Sequence, residues 1–210
     1  MALKFKILSL LLIFPLLLQS HFGISSDPVI PVTSGSSDTT LIQSQVNLKD
    51  FSAALKTETG TDLKGIYANG VLALRVVQQP SGQPGYVSSS EGAVTQFPMA
   101  KPYNVIGYLA HNFSSGSLFV NLKPGDKLSL IYADGTVKEI QITKVDKCQA
   151  VSPSSPNSDF LNLATGERLT AKQVFYKYFT GNPHVTLQTC IQQGDQESWG
   201  RLFIVTQLVP

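Results

Sequence analysis

Two alternating apolar and polar runs joined by Asp134 and Gly135 constrain the fold of this chain more than any other feature. The runs cover residues 127–132 and 136–143, and such alternation is typical of strands that bury one face. Asp-Gly is a frequent connection in tight β-hairpins, because both residues tolerate a positive φ. The pattern therefore predicts an antiparallel hairpin over these residues.

The rest of the chain also favours short strands. Three further segments have strand composition and cover residues 71–77, 92–97 and 104–110. Residues 46–57 have helical spacing, with Asn47 as a candidate N-cap. Residues 170–179 have helical spacing too, with Thr170 in that role. The polar, proline-rich residues 149–166 indicate a long surface loop. Many short strands with one or two short helices predict a mostly β fold, either a barrel or a sandwich.

The N-terminus predicts export. Two lysines precede an apolar run over residues 7–18, which is shorter than the roughly 20 residues needed to cross a bilayer. We therefore expect a signal peptide over residues 1–23, and the alternative is an uncleaved N-terminal anchor. A flexible linker is expected over residues 24–45 and a single domain over residues 46–210. The protein is expected to be extracellular or at the cell surface, and membrane-anchored if the segment is retained.

The charge balance excludes one class of partner. The chain has 16 Lys and Arg against 14 Asp and Glu, and two of the lysines lie in the predicted signal peptide. The mature chain is therefore formally neutral, whereas nucleic-acid binding needs basic side chains clustered on one face. We expect no nucleic-acid partner. The sequence has no acidic cluster with the spacing of calcium ligands, so we also expect no metal and no cofactor.

The C-terminal residues 183–207 contain the first candidates for chemistry. They read as a strand, a polar connection of ten residues and a second strand. His184 and Cys190 share one face of the first strand, because side chains alternate along it. If the strands pair as an antiparallel hairpin, Cys190 lies beside Arg201 at the start of the second strand. The pattern predicts a thiol next to a guanidinium at one rim of a sheet.

A thiol nucleophile needs a base, and His184 and His111 are the histidines that remain after export. His184 lies six residues from Cys190, roughly 20 Å along an unbroken strand, which is too far for direct proton transfer. His111 follows the predicted strand 104–110 and begins a loop rich in Ser and Gly, a position from which functional side chains are commonly presented. His111 is therefore the candidate base.

Each of these side chains also has a plainer interpretation. Cys148 and Cys190 are the two cysteines of an exported chain, so a disulfide between them is the alternative to a catalytic thiol. His111 alone is commonly a hydrogen-bonded surface residue, and Arg201 alone a solvated charge. Trp199 would pack in the loop that leads into the last strand, or else contact a substrate.

An ordered set of motifs resembles the sortase family. Residues 186–190, Thr-Leu-Gln-Thr-Cys, look like the sortase motif TLxTC, and residues 201–205 resemble the arginine-bearing last strand that follows it. Residues 107–111, Gly-Tyr-Leu-Ala-His, resemble the segment that holds the catalytic histidine. A Phe-Val-Asn-Leu and a Pro-Gly-Asp phrase follow them, as in that segment. The resemblance spans about residues 71–209 and keeps the family's order.

The resemblance implies an eight-stranded β-barrel of the sortase type. It implies Cys190 as the nucleophile, His111 as the general acid or base, and Arg201 as the stabiliser of an oxyanion or of the substrate. The chain would then be an exported cysteine transpeptidase that works through a thioester acyl-enzyme. The alternative is a secreted β-barrel that is a binding module, or a thiol hydrolase without transpeptidase activity.

The resemblance also implies partners. Sortases cleave a sorting-signal peptide and join it to an amine on the cell wall or on another protein, so both partners are expected here. The residues expected to bind the substrate are Thr189, which would shape the floor of the site, Asn112 and Trp199. We expect the protein to be a monomer.

Overall fold

The computed structural model describes residues 46–57, 60–155 and 157–208. The strands are β1 (Leu63–Ala68), β2 (Leu72–Gln78), β3 (Ala93–Phe97), β4 (Val105–Ala110), β5 (Lys127–Tyr132), β6 (Val137–Ala150), β7 (Phe160–Asn162), β8 (Arg168–Leu169), β9 (His184–Gln193) and β10 (Gln196–Leu208). The helices are α1 (Leu48–Leu55), α2 (Ala171–Phe179) and two 3-10 helices, Pro98–Tyr103 and Ser115–Asn121. The predicted signal peptide and linker, residues 1–23 and 24–45, lie outside the described residues. None of the helices described is long and apolar enough to span a bilayer.

Eight of the strands close into a barrel. Their order is β10-β9-β4-β3-β2-β1-β5-β6, and pairing of β10 with β6 completes the circle. The pairs β2–β3 and β4–β9 are parallel, and the other pairs are antiparallel. The short strands β7 and β8 continue the sheet from one edge of β6. The predicted mostly β fold, an eight-stranded barrel with one or two short helices, is confirmed.

Two apolar layers hold the wall of the barrel in place. The inner layer fills the barrel and includes Leu187, Leu202 and Ile204. The outer layer packs α2 against the wall and includes Phe175 and Phe203. Because neighbouring residues of a strand point to opposite faces, residues that alternate with the inner set lie on the outer face. This alternation decides which face of β9 and β10 carries the candidate site.

The Asp134-Gly135 hairpin joins β5 and β6 as predicted, but its turn differs in detail. Tyr132 donates its amide to the carbonyl of Thr136 at 2.9 Å, so three residues rather than two connect the strands. Gly135 has a φ of 88°, whereas Asp134 does not have a positive φ. A type I turn followed by a left-handed glycine needs a positive φ at one position only.

Both predicted helices are present with their expected N-caps. The side chain of Asn47 accepts from the amide of Asp50 at 2.9 Å at the start of α1. At α2, Thr170 and Gln173 form a reciprocal capping box. These contacts satisfy backbone amides that the first turn of a helix leaves without intrahelical partners.

Strand β1 was missed in the sequence because Gly65 lies in its middle, and glycine weakens strand propensity. In the structure, a Cβ at Gly65 would lie 3.1 Å from the ring of Phe51 on α1 and 3.3 Å from Ile131 on β5. Glycine is therefore what lets α1 lie close to this part of the sheet. The loop predicted over residues 149–166 was also wrong in part, since β6 extends to Ala150 and β7 lies inside it.

The ten-residue polar connection predicted between the last two strands is wrong. β9 and β10 continue into it and are joined by Gly194 and Asp195. Polar composition suggested a loop, but the tip of this hairpin is exposed on both faces, and backbone pairing there requires no apolar side chain. Trp199 consequently lies within β10 and is half-buried.

Candidate active site

Three strands of the barrel wall carry Cys190 and its neighbours in one row. Arg201 on β10 lies opposite Cys190 on β9 and, on its other side, opposite Cys148 on β6. Directly opposed residues of antiparallel strands point to the same face, with Cβ atoms about 4.5–5.5 Å apart. Leu202, the next residue, belongs to the inner layer. The row therefore lies on the outer face of the barrel wall, with Arg201 between the two cysteines.

Strand β4 brings His111 to the same end of the barrel. It runs parallel to β9, and the register pairs Ala110 with Thr189. His111 follows Ala110, so its backbone leaves the sheet at the level of Cys190 on the adjacent strand. Neighbouring strands lie about 4.8 Å apart. The three residues of the predicted constellation are thus brought together by β4, β9 and β10, which are adjacent in the barrel.

The loop after His111 is tied to the β9–β10 hairpin and folded tightly on itself. The side-chain amide of Asn112 donates to the carbonyl of Glu197 on β10 at 3.2 Å. The amides of Ser114 and Gly116 donate to the carbonyl of His111 at 3.1 and 2.9 Å. Asn112 therefore links the histidine loop to the segment that precedes Arg201.

The imidazole of His111 makes a hydrogen bond and a ring-stacking contact. Its Nε2 lies 3.1 Å from the carbonyl oxygen of Val87, and its ring stacks on Phe113 with centroids 4.6 Å apart and planes 20° apart. A carbonyl oxygen only accepts hydrogen bonds, so Nε2 carries the hydrogen in the neutral ring and Nδ1 carries the lone pair. Burial lowers the pKa of His111, and the hydrogen bond to Val87 partly opposes that effect.

Thr189 supports this loop from inside the wall. Its backbone pairs with Leu202 of the inner layer, and its side chain is buried. A Cβ on Gly116 would collide with the Thr189 hydroxyl and would lie 2.6 Å from the carbonyl oxygen of His111. The loop therefore packs directly on Thr189 through a glycine. Thr189 lies beneath the histidine loop, and its predicted role in substrate binding remains a prediction.

Cys190 is a buried thiol next to a positive charge. Its side chain is 3% exposed, and the hydroxyl of Ser198 donates to its sulfur at 4.0 Å. Burial raises the pKa of Cys190, because a thiolate is costly away from water. The charge of Arg201 and the Ser198 hydroxyl both act in the opposite direction and stabilise the thiolate.

Arg201 is held inside the wall by backbone carbonyls. Its side chain is 2% exposed. Nη1 donates to the carbonyl of Gly200 at 2.8 Å and to that of Ser198 at 3.2 Å. The guanidinium carbon also lies 5.9 Å from the centre of the Phe160 ring. Burial lowers the pKa of Arg201, and a Cys190 thiolate would raise it. These contacts orient one edge of the guanidinium and fix it beside Cys190.

Cys148 is not bonded to Cys190. Both cysteines are free, and they lie two strands apart, about 9.6 Å at 4.8 Å per strand, whereas a disulfide requires Cα atoms within about 6.8 Å. The sulfur of Cys148 lies 3.7 Å from the hydroxyl of Tyr178, which itself donates to Asp146 at 2.7 Å. Cys148 therefore belongs to a buried polar chain that anchors α2, and the disulfide alternative is wrong for this structure.

His184 lies at the opposite end of β9. Its Nδ1 is 2.7 Å from the carbonyl oxygen of Asn182, and its Nε2 is 3.1 Å from that of Tyr178 at the end of α2. The residue is engaged in joining α2 to the first residue of β9. It is thus not close to Cys190, as the strand spacing predicted.

The structure also places residues at the site that the sequence did not single out. Ser198 contacts Cys190 and Arg201, Phe113 covers His111, and Gly116 sets the height of the histidine loop. Gly116 lies in the Ser- and Gly-rich loop that the sequence analysis placed after His111, so the sequence could have pointed to it. No sequence pattern could have pointed to Ser198, because its position depends on an irregularity in the pairing of β9 and β10.

The described part of the chain contains no group of three or more His, Cys, Asp or Glu side chains arranged to hold a metal ion.

Solved structures of sortases are similar to this fold. Sortase A of Listeria monocytogenes is 14% identical with a TM-score of 0.44, over 72% of this chain and 89% of that one. Sortase C-1 of Actinomyces oris is 14% identical with a TM-score of 0.46, over 81% and 86%. A lid mutant of Corynebacterium diphtheriae sortase A is 12% identical with a TM-score of 0.47, over 86% and 84%. No protein-family model and no curated protein sequence matches the chain.

Proposed function

We propose that this chain is a sortase-type cysteine transpeptidase. It would cleave a sorting-signal peptide through a thioester on Cys190 and transfer the acyl group to an amine. The observation that supports the proposal is the register of three adjacent strands, which brings together the Cys, His and Arg of the motif resemblance. The substrate peptide and the amine acceptor, on the cell wall or on another protein, are part of the proposal.

The proposed first half-reaction forms the acyl-enzyme. The sulfur of Cys190 attacks the scissile carbonyl after its proton has passed to Nδ1 of His111, which carries the lone pair in the neutral ring. The carbon–nitrogen bond then breaks, and the imidazolium returns this proton to the leaving amine. Arg201, which the carbonyls of Ser198 and Gly200 hold beside Cys190, stabilises the oxyanion of the tetrahedral intermediate through its positive charge.

The proposed second half-reaction consumes the thioester. An acceptor amine attacks the carbonyl carbon and loses a proton to His111. The carbon–sulfur bond breaks, and the sulfur leaves as a thiolate that recovers the proton. The products are a new amide and the free thiol of Cys190. Water in place of the amine gives a carboxylic acid, which is the outcome expected of a thiol hydrolase.

The pKa shifts predict which protonation state reacts. Burial lowers the pKa of His111 and raises that of Cys190. Between the two values both groups are neutral in most molecules, and the thiolate–imidazolium pair is a minor form. The Arg201 charge favours that form, because it stabilises the thiolate. The proposed enzyme therefore reacts through a small fraction that is replenished by proton transfer.

Export is part of the proposal, and it rests on the N-terminal sequence. The apolar run over residues 7–18 supports a signal peptide or an anchor. Either would deliver the domain outside the cytoplasm, where sorting signals and wall amines are available.

The test compares two cysteine variants on a library of fluorescence-quenched peptides with triglycine as the amine. Cys190→Ala is expected to abolish cleavage, and Cys148→Ala is the matched control that retains the proposed nucleophile. Thermal unfolding followed by circular dichroism checks that both variants are folded. Product masses distinguish transfer to triglycine from hydrolysis. Cleavage by folded Cys190→Ala at the wild-type rate would refute the proposal.

One observation favours a second candidate, a binding module without catalysis. Cys190 is 3% exposed, and a thiol that water does not reach is commonly inert. A binding module predicts a thiol that is not alkylated in the folded protein at any pH, whereas both enzyme functions predict alkylation.

A further inference from the structure

Ser198 lies in an irregular part of the β9–β10 hairpin. The register pairs Gln196 with Gln193 and then Gly200 with Ile191. Three residues of β10 lie between these pairs against one residue of β9, so β10 bulges at this point. A bulge redirects side chains that a regular strand would place elsewhere, and bulges are over-represented next to active sites.

The bulge contacts each part of the candidate site. The Ser198 hydroxyl donates to the sulfur of Cys190 at 4.0 Å, and the Ser198 carbonyl accepts from Arg201 at 3.2 Å. The preceding carbonyl, that of Glu197, accepts from Asn112 in the histidine loop at 3.2 Å. Two consecutive residues of β10 thus touch the strand that carries the thiol, the guanidinium and the loop that follows His111.

We propose that Ser198 is a positioning residue whose hydroxyl stabilises the thiolate of Cys190 while its carbonyl orients Arg201. The inference rests on the proposed function, in which Cys190 is the nucleophile. A hydrogen bond to an ion is stronger than one to a neutral acceptor, so the hydroxyl favours the thiolate over the thiol. The sulfur is shielded from water by burial, so a donor from the protein replaces part of the hydration that a thiolate would otherwise have.

The two halves of this role are separable by mutation. Ser198→Ala removes the hydroxyl but keeps the carbonyl that accepts from Arg201. Ser198→Thr keeps both the hydroxyl and the carbonyl. If the reactivity of Cys190 is lowered in Ser198→Ala but not in Ser198→Thr, the effect is therefore due to the hydroxyl and not to the shape of the bulge.

The experiment measures the rate at which iodoacetamide alkylates Cys190 in the full chain as a function of pH. Peptide mass spectrometry reads Cys190 separately from Cys148. Ser198→Ala is expected to move the midpoint of the rate profile upward by about one pH unit. The rate of alkylation of Cys190 at neutral pH would then fall about tenfold. Ser198→Thr is expected to stay close to wild type. Ser81→Ala, at an exposed turn after β2, is the matched serine control and is expected to change nothing.

The possible failures are distinguishable. If wild-type Cys190 is alkylated and Ser198→Ala follows the same profile, the role of Ser198 is refuted while Cys190 remains a candidate nucleophile. If the alkylation rate of Cys190 falls as much in Ser198→Thr as in Ser198→Ala, the hydroxyl is not responsible, and this also refutes the proposal. If wild-type Cys190 is alkylated only after unfolding in urea, the proposed function itself fails, and with it the inference.

Discussion

Replacing Gly116 by alanine tests how tightly the histidine loop is held. A Cβ at this position would lie 2.6 Å from the carbonyl oxygen of His111 and 2.9 Å from that of Ala110, and it would collide with the hydroxyl of Thr189. Two of these three atoms belong to the backbone, so rotation of a side chain cannot relieve the overlap. The turn that begins at His111 has to move away from β9.

The size of the movement follows from the contact distances. Ordinary van der Waals contact begins at 3.4 Å, so the carbonyl of His111 has to shift by about 0.8 Å from its distance of 2.6 Å. A misplacement of about 1 Å costs about 100-fold in rate when it moves a catalytic group. Overpacking of this kind also destabilises a fold by about 1–3 kcal/mol. Gly116→Ala is therefore expected to cleave the peptide about 100-fold more slowly even in the molecules that remain folded.

The assay combines peptide cleavage with urea unfolding. Val120→Ala is the matched control, because Val120 lies on the same 3-10 helix and is 65% exposed; its activity and stability are expected to be unchanged. Cleavage is measured at a temperature at which circular dichroism shows both variants to be folded. Wild-type cleavage by Gly116→Ala would refute the reasoning, since the position of the His111 loop would then not matter for catalysis.

Three further predictions concern the charges of the site. Arg201→Lys is expected to lower kcat about 100-fold, because an ammonium cannot reproduce the planar fork that carbonyls hold beside Cys190; an unchanged kcat would contradict the role of Arg201. The pH profile of kcat/KM is expected to be bell-shaped, with its acid limb below the ordinary histidine pKa of 6.5 and its alkaline limb above the ordinary cysteine pKa of 9.0. Limbs inside that interval would show that burial does not control the two groups. Phe113→Leu keeps an apolar cover over His111 but removes the aromatic face that favours an imidazolium, so NMR titration should give a lower pKa for His111 than in wild type, and Phe113→Trp should restore it.

His111 also makes folding depend on pH. Its pKa is lowered in the folded state by burial, so the unfolded chain binds a proton more readily. The free energy of unfolding is therefore expected to fall as pH drops below about 6.5. His111→Gln should remove this part of the pH dependence, which urea unfolding at several pH values can measure.

The parts of the fold that sequence predicted are those with local causes. Thr170 and Gln173 cap α2 through contacts within four residues, and Gly135 supplies the positive φ of the β5–β6 turn. Caps and turns of this kind are determined by a few neighbouring residues, so they can be predicted from short segments of sequence. The pairing of Cys190 with Arg201 was predictable for the same reason, since both residues lie on one hairpin.

The parts that sequence missed depend on distant contacts. Gly65 lowers the strand propensity of β1, yet in the structure this strand pairs with both β2 and β5, and α1 lies close over Gly65. The exposed tip of the β9–β10 hairpin carries polar side chains and resembles a loop. Ser198 reaches the sulfur only because β10 bulges. A bulge cannot be predicted from a local sequence pattern, because its position depends on how the strand pairs with its partner. The nearness of His111 to Cys190 likewise requires the parallel pairing of β4 and β9, which are separated by more than 70 residues.

The most direct test of the central claim is intact mass spectrometry of the protein mixed with a cleaved peptide and quenched in acid. A thioester on Cys190 would give a mass increase equal to the acyl fragment, mapped to Cys190 and removed by hydroxylamine or by triglycine, and this is the expected result. Under the same conditions Arg201→Lys should form the adduct more slowly, and Cys190→Ala should form none. Cleavage of the peptide with no adduct on Cys190, or with an adduct on Cys148, would contradict the claim that the Cys190 sulfur carries the acyl group.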